Sequence, residues 1–104
     1  MTKVQIHWSD IEKSDTLGEH IEKHLERALK HHGERFLRVD VHIHDDKGGR
    51  SGANDKRFVI EGRPSGGEHL AVEHQGEDFY ATATEAVKKF ERAVHNYIER
   101  ERQH

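Results

Sequence analysis

With 104 residues the chain has room for one domain, and a hydrophobic content of only 32% asks for a thin, well-patterned core of two layers. It carries no cysteine, which excludes disulfides and thiolate metal sites, and it has no apolar run long enough to cross a membrane. The formal charge is −3, unlike that of a simple basic nucleic-acid binder, but 11 histidines titrate near neutrality, so the distribution of charge matters more than its sum.

Val4, Ile6 and Trp8 alternate with Lys3, Gln5 and His7, the pattern of a short strand with one wet face. A connector over Asp10–Lys13 leads to a helix that opens at Ser14 or Thr16, both good caps. Leu17, Ile21, Leu25, Ala28 and Leu29 form its apolar stripe, and Gly33 is a natural stop. From Phe36 the period changes to two. Leu37, Val39, Val41 and Ile43 alternate with Arg38, Asp40, His42 and His44, which predicts the clearest strand of the chain.

The glycine-rich stretch about 45–55 predicts a mobile loop. Phe58 and Ile60 mark a third strand ending at Pro64, Ser65-Gly66-Gly67 a hairpin turn, and Leu70 and Val72 a fourth strand ending near Gln75-Gly76. A long helix follows, with Phe79, Ala83, Ala86, Val87, Phe90, Val94 and Ile98 on one side. Its all-polar end, about 99–104, is expected to fray. The order β-α-β-β-β-α predicts one α+β domain over residues 1–104: a two-layer sandwich in which both helices cover one face of a mixed four-stranded sheet. The first two strands would be parallel, the later ones antiparallel, and the other sheet face open to water.

The helices sort their charges. On the first, His20, His24, Arg27 and His31 follow at steps of four, three and four, with Lys23 and Lys30 beside them and Glu22 and Glu26 towards the other side. Such a strip can face phosphates, or it can be a solvated face with ion pairs such as Glu19–Lys23 and Glu26–Lys30. On the second, Lys89, Arg92, Asn96 and Arg100 line up, with Lys88 nearby and Glu85 and Glu99 bordering. Tyr80 and Tyr97 are read as completing the edge of the core.

His20 and His24 stand at i and i+4, and His42 and His44 share a strand face, possible footholds for a metal ion. Neither belongs to a recognised ligand pattern, and no metal or other cofactor is expected. Gly48-Gly49-Arg50-Ser51-Gly52 lacks the lysine and spacing of a phosphate loop, and no nucleophile motif is present. Asp40, Glu61 and Glu73 alternate with Arg38, Arg57 and Arg63, which predicts cross-strand ion pairing rather than an active site. The chain reads as a non-enzyme with no small-molecule substrate.

Three stretches together resemble one known family. They are Ser14 to Leu29, with a hydroxyl cap before Leu-x-x-x-Ile-x-x-x-Leu; Arg38-Val39-Asp40-Val41-His42-Ile43; and Glu77-Asp78-Phe79-Tyr80-Ala81-Thr82-Ala83 leading into Lys88-Lys89-Phe90-Glu91-Arg92. The chain resembles the ribosome hibernation-promoting factor and ribosome-associated inhibitor A family, also called sigma-54 modulation proteins, in a short single-domain form. The resemblance implies a layout like that of double-stranded-RNA-binding domains. It also implies binding to the small ribosomal subunit and its rRNA in the mRNA and tRNA channel, which would silence or protect idle ribosomes in stationary phase or stress. Carried over, the RNA contacts would be Lys23, Arg27 and Lys30 on the first helix and Lys88, Lys89, Arg92 and Arg100 on the last. The expected protein is cytoplasmic, makes no membrane contact (the N-terminus lacks a signal-peptide core) and is a monomer or weak dimer. The alternative from the residues alone is a diverged paralogue whose histidine-rich surface serves protein interaction, pH response or metal binding.

Overall fold

The computed structural model describes residues 2–9, 11–32, 35–46 and 55–102. Six elements follow in the expected order: β1 (Lys3–Trp8), α1 (Asp15–Ala28), β2 (Phe36–Asp45), β3 (Lys56–Pro64), β4 (Leu70–Gly76) and α2 (Phe79–Arg102). The sheet order is β1-β2-β3-β4. β1 runs parallel to β2, as the intervening α1 crossover requires, and the β2–β3 and β3–β4 pairs are antiparallel. No helix among the described residues is long and apolar enough to cross a membrane.

The period-2 pattern of the strands sends Val39, Val41, Ile43, Phe58, Ile60 and Leu70 to the same sheet face, where all are buried. Leu17, Ile21, Leu25 and Ala28 of α1 and Ala83, Ala86, Val87, Phe90, Val94 and Ile98 of α2 close over them. Phe90 is completely buried, with its ring 6.2 Å from that of Phe36. It needs the absence of a side chain at Gly62 on β3: a Cβ there would lie 2.7 Å from Phe90 Cζ. The β3–β4 turn depends on Gly66, whose φ of 74° is a left-handed value that glycine takes without steric cost.

One open choice is settled and three local expectations change. Of the two candidate caps of α1, Ser14 is the one used: its hydroxyl accepts from Leu17 N at 3.2 Å. The helix then ends at Ala28, well before Gly33, which lies outside the described residues; Leu29 caps it, and turn bonds from Lys30 N to Arg27 O and from His32 N to Leu29 O follow. Lys30 and His31 therefore sit in a turn and not on the helix. The second change is in β2, where a register shift between Phe36 and Arg38 gives Phe36 the buried place and leaves Leu37 64% exposed. Finally, α2 stays helical through Glu99–Arg102, with Glu101 paired to Arg35.

The expected loop about 45–55 falls mostly outside the described residues, including the Gly48 to Gly52 run. Its two ends are held together. Asp46 N donates to Asp55 O at 2.6 Å, and the Lys56 ammonium bridges Asp55 Oδ2 at 2.8 Å and Asp45 Oδ1 at 3.4 Å. The same ammonium stands 5.2 Å above the Phe79 ring, which ties this end of the hairpin to the start of α2.

Candidate nucleic-acid interface

Both helices are amphipathic, so each turns a polar arc away from the core. Two contacts define how those arcs meet. Thr16 Oγ1 and Tyr80 OH share a hydrogen bond of 2.9 Å, and His20 Nε2 lies 3.0 Å from Thr84 Oγ1. Each bond joins residues 64 apart in sequence, so α1 and α2 run side by side in the same direction. Continued along the helices, that register sets His24 level with Lys88 and Ala28 level with Arg92. Tyr80, 41% exposed, thus belongs to the helix seam and not to the core edge, whereas Tyr97, at 7%, does complete the core.

All seven cationic candidates are exposed, but they do not share one side. On α1, Lys23 points outward and Arg27 leans to the α2 flank, one turn beyond the His20–His24 strip; Lys30 follows in the turn. On α2, Lys88 and Arg92 occupy the arc opposite the core. Lys89 and Arg100 lie on the flank away from α1. Lys89 Nζ reaches the edge strand, donating to Glu73 O at 3.1 Å, and Arg100 borders a shallow recess with Glu68, Tyr97 and Glu101. Lys88 is 3.6 Å from Glu85. Among the described residues Lys23, Arg27, Lys30, Arg92 and Arg100 form no ion pair, and the Glu19–Lys23 and Glu26–Lys30 pairs do not form.

The open sheet face is different in kind, because its charges neutralise one another. Arg38 grips Asp40 with two bonds, Nε to Oδ2 at 2.7 Å and Nη2 to Oδ1 at 2.9 Å, and His7 Nε2 donates to the same carboxylate at 2.8 Å. His42 Nε2 donates to Glu61 Oε1 at 2.8 Å, His69 approaches Glu61 at 3.4 Å, and Arg57 approaches Glu73 at 3.7 Å. The His7 and His42 rings stack at 4.5 Å. Of the cross-strand pairs read from the alternation of charges, Arg57–Glu73 forms; Arg38 instead pairs within β2, Arg63 makes no ion pair among the described residues, and histidines of neighbouring strands partner Asp40 and Glu61. His42 and His44 do lie on this one face, but among the described residues no group of three or more acidic or histidine side chains is disposed to hold a metal ion.

The Arg38 guanidinium, helped by His7, holds Asp40 down at about 2 against partial burial. A carboxylate depressed in the folded state stabilises the fold above its unfolded pKa and loses that contribution as pH falls through the folded value. Arg38 is half exposed, and solvent screening limits the effect to about 1–2 kcal/mol. Urea unfolding of Asp40→Asn at about pH 6 and about pH 2.5 should therefore show an acid-induced loss of stability smaller than wild type's by that amount. Equal losses in the two proteins would show that Asp40 is not held by this network.

Comparison with known proteins places the chain. The family model for the sigma 54 modulation protein / S30EA ribosomal protein matches residues 4–102. The chain belongs to that family. A ribosomal subunit interface protein from Coxiella burnetii has a solved structure of the same fold, with a TM-score of 0.80, 19% identity, and 95% of this chain and 99% of that one covered. The Thermus thermophilus Protein Y N-terminal domain superposes with a TM-score of 0.72 and 24% identity, covering 93% and 99%. At these identities the two structures speak for the fold alone. No curated protein matches the chain in sequence. Within the family fold, the seam residues Thr16, Tyr80 and Thr84 are the ones that sequence reasoning missed as a unit, since nothing in either helix alone gives the register between them.

Proposed function

We propose that this protein binds the small ribosomal subunit through rRNA phosphates, occupies the mRNA and tRNA channel, and so idles or protects ribosomes in stationary phase or stress. The observation that carries this reading is the set of exposed cations without ion pairs among the described residues, Lys23, Arg27 and Arg92 on the polar side of two parallel helices and Lys30 in the turn after the first, in a member of the S30EA family. The name of the Coxiella burnetii structure, a ribosomal subunit interface protein, supports the same reading. Phosphate contacts of this kind fix position and carry no chemistry, so the protein, a cytoplasmic monomer or weak dimer in this reading, acts by occupancy. Lys88 stands beside Arg92 on this ridge, and Lys89 and Arg100 extend the contact to the flank away from α1.

Cosedimentation with purified small subunits across a salt series tests this. Each phosphate neutralised should contribute a log–log slope of about −0.7 to −0.9, by analogy with simple nucleic acids. Absence of association at low salt would overturn the reading.

A further inference from the structure

The proposed ridge contains two groups that are not fixed charges. His20 and His24 lie along the seam between the helices with ring centroids 4.2 Å apart. Their hydrogen bonds define the tautomers. Thr84 Oγ1 donates its proton to Tyr80 O at 3.0 Å, so towards His20 it can only accept, and His20 carries its hydrogen on Nε2. His24 Nδ1 faces the carbonyl oxygen of His20 at 2.9 Å and must be the donor there. The lone pairs left over are therefore on His20 Nδ1 and His24 Nε2, and the Tyr80 backbone near the His20 ring favours its proton. A proton can add to either ring without breaking an existing bond.

Protonation is set against burial and the charges around the seam. On α1, Arg27 lies one turn from His24 and Lys23 stands beside the strip. Across the seam α2 presents Lys88 level with His24, His95 further along, the Tyr80 hydroxyl, and Glu91 as the carboxylate on that side. His31 and His32 follow in the turn after α1. The sheet beneath contributes the apolar core. Burial and the nearby His24 ring hold His20 below the ordinary histidine pKa. Among the described residues cations thus outnumber the facing carboxylate Glu91, and two imidazolium rings about 4 Å apart would repel each other. An anion seated over the seam removes that repulsion and accepts from the new N–H groups.

Resting on the RNA-directed reading above, we infer that His20 and His24 are further phosphodiester-contacting residues, and that the protein takes up protons on them as it binds. The ridge is then a proton-linked grip whose imidazoles become charged donors in the complex.

Calorimetry of the full chain with purified small subunits near neutral pH, in two buffers of different ionisation enthalpy, reads this directly. The inference expects uptake of about one proton per complex and affinity about tenfold higher at pH 6.0 than at pH 7.5. Both effects should fall by more than half in the His20→Gln, His24→Gln double variant. Binding of the wild-type chain without proton uptake overturns the inference and leaves the RNA-directed reading standing, as does uptake that persists undiminished in the variant. Failure of the subunits to bind at low salt at either pH overturns both.

Discussion

Phe90→Ala is expected to cost about 3–5 kcal/mol, the range for emptying a large aromatic site in a closed core. Phe90 is fully buried, and its ring packs between Phe36 of β2 and the bare backbone of Gly62 on β3, so no neighbour is placed to fill the space. A domain of this size has about 5–15 kcal/mol in total, so urea unfolding should show a large drop in midpoint at unchanged slope. The paired glycine gives a second arm. Gly62→Ala forces a methyl to 2.7 Å from Phe90 Cζ and 3.3 Å from Phe36 Cδ1, an overpacking of about 1–3 kcal/mol. In a Phe90→Leu background, which removes the ring tip, the same change should cost distinctly less. Additive costs would show that the two residues do not share this space.

The second large effect concerns binding. Arg27→Glu combined with Arg92→Glu reverses one unpaired cation on each helix, on the side where the two polar arcs meet. Affinity for small subunits should fall about a hundredfold, and the salt slope should flatten by the equivalent of two phosphate contacts, about 1.4–1.8. Lys89→Gln combined with Arg100→Gln should cost much less. These two lie on the far flank of α2, and Lys89 already donates to the Glu73 carbonyl. Equal losses from the two pairs would mean that the ligand wraps over the β4 flank as well as the ridge. Circular dichroism of both variants separates binding effects from unfolding, since all four residues are exposed.

Most of the architecture could be read from periodicity. The alternation through Val39, Val41 and Ile43 has one buried solution, and the long stripe from Phe79 to Ile98 has another. What could not be read was where one extra residue breaks the pattern. Leu37 continues the apolar alternation perfectly on paper, but the register shift at Phe36 puts it in water, and only pairing with β3 reveals that. The end of α1 was misplaced for a related reason. Leu29 is buried, so the apolar stripe runs on past the last helical residue, and hydrophobicity alone does not say when a buried segment stops being helix.

The candidate site was legible as a composition of helix faces but not as a surface. Lys89 and Arg92 are three apart and look like one row, yet the rotation with which α2 settles on the sheet directs Lys89 to β4 and Arg92 to solvent. That rotation follows from which apolar residues sink deepest, a property of the whole core. In the same way, Tyr80 offers no local sign of being a seam residue, because its partner Thr16 is 64 positions away.

β4 forms a free margin of the sheet, the sort of place where a strand from another molecule can add itself by backbone bonding. The Lys89 ammonium sits on the Glu73 carbonyl there and acts as a plug. Drawing it off, whether by acetylation or by a tightly held polyanion, would leave that carbonyl open as an acceptor for an incoming chain.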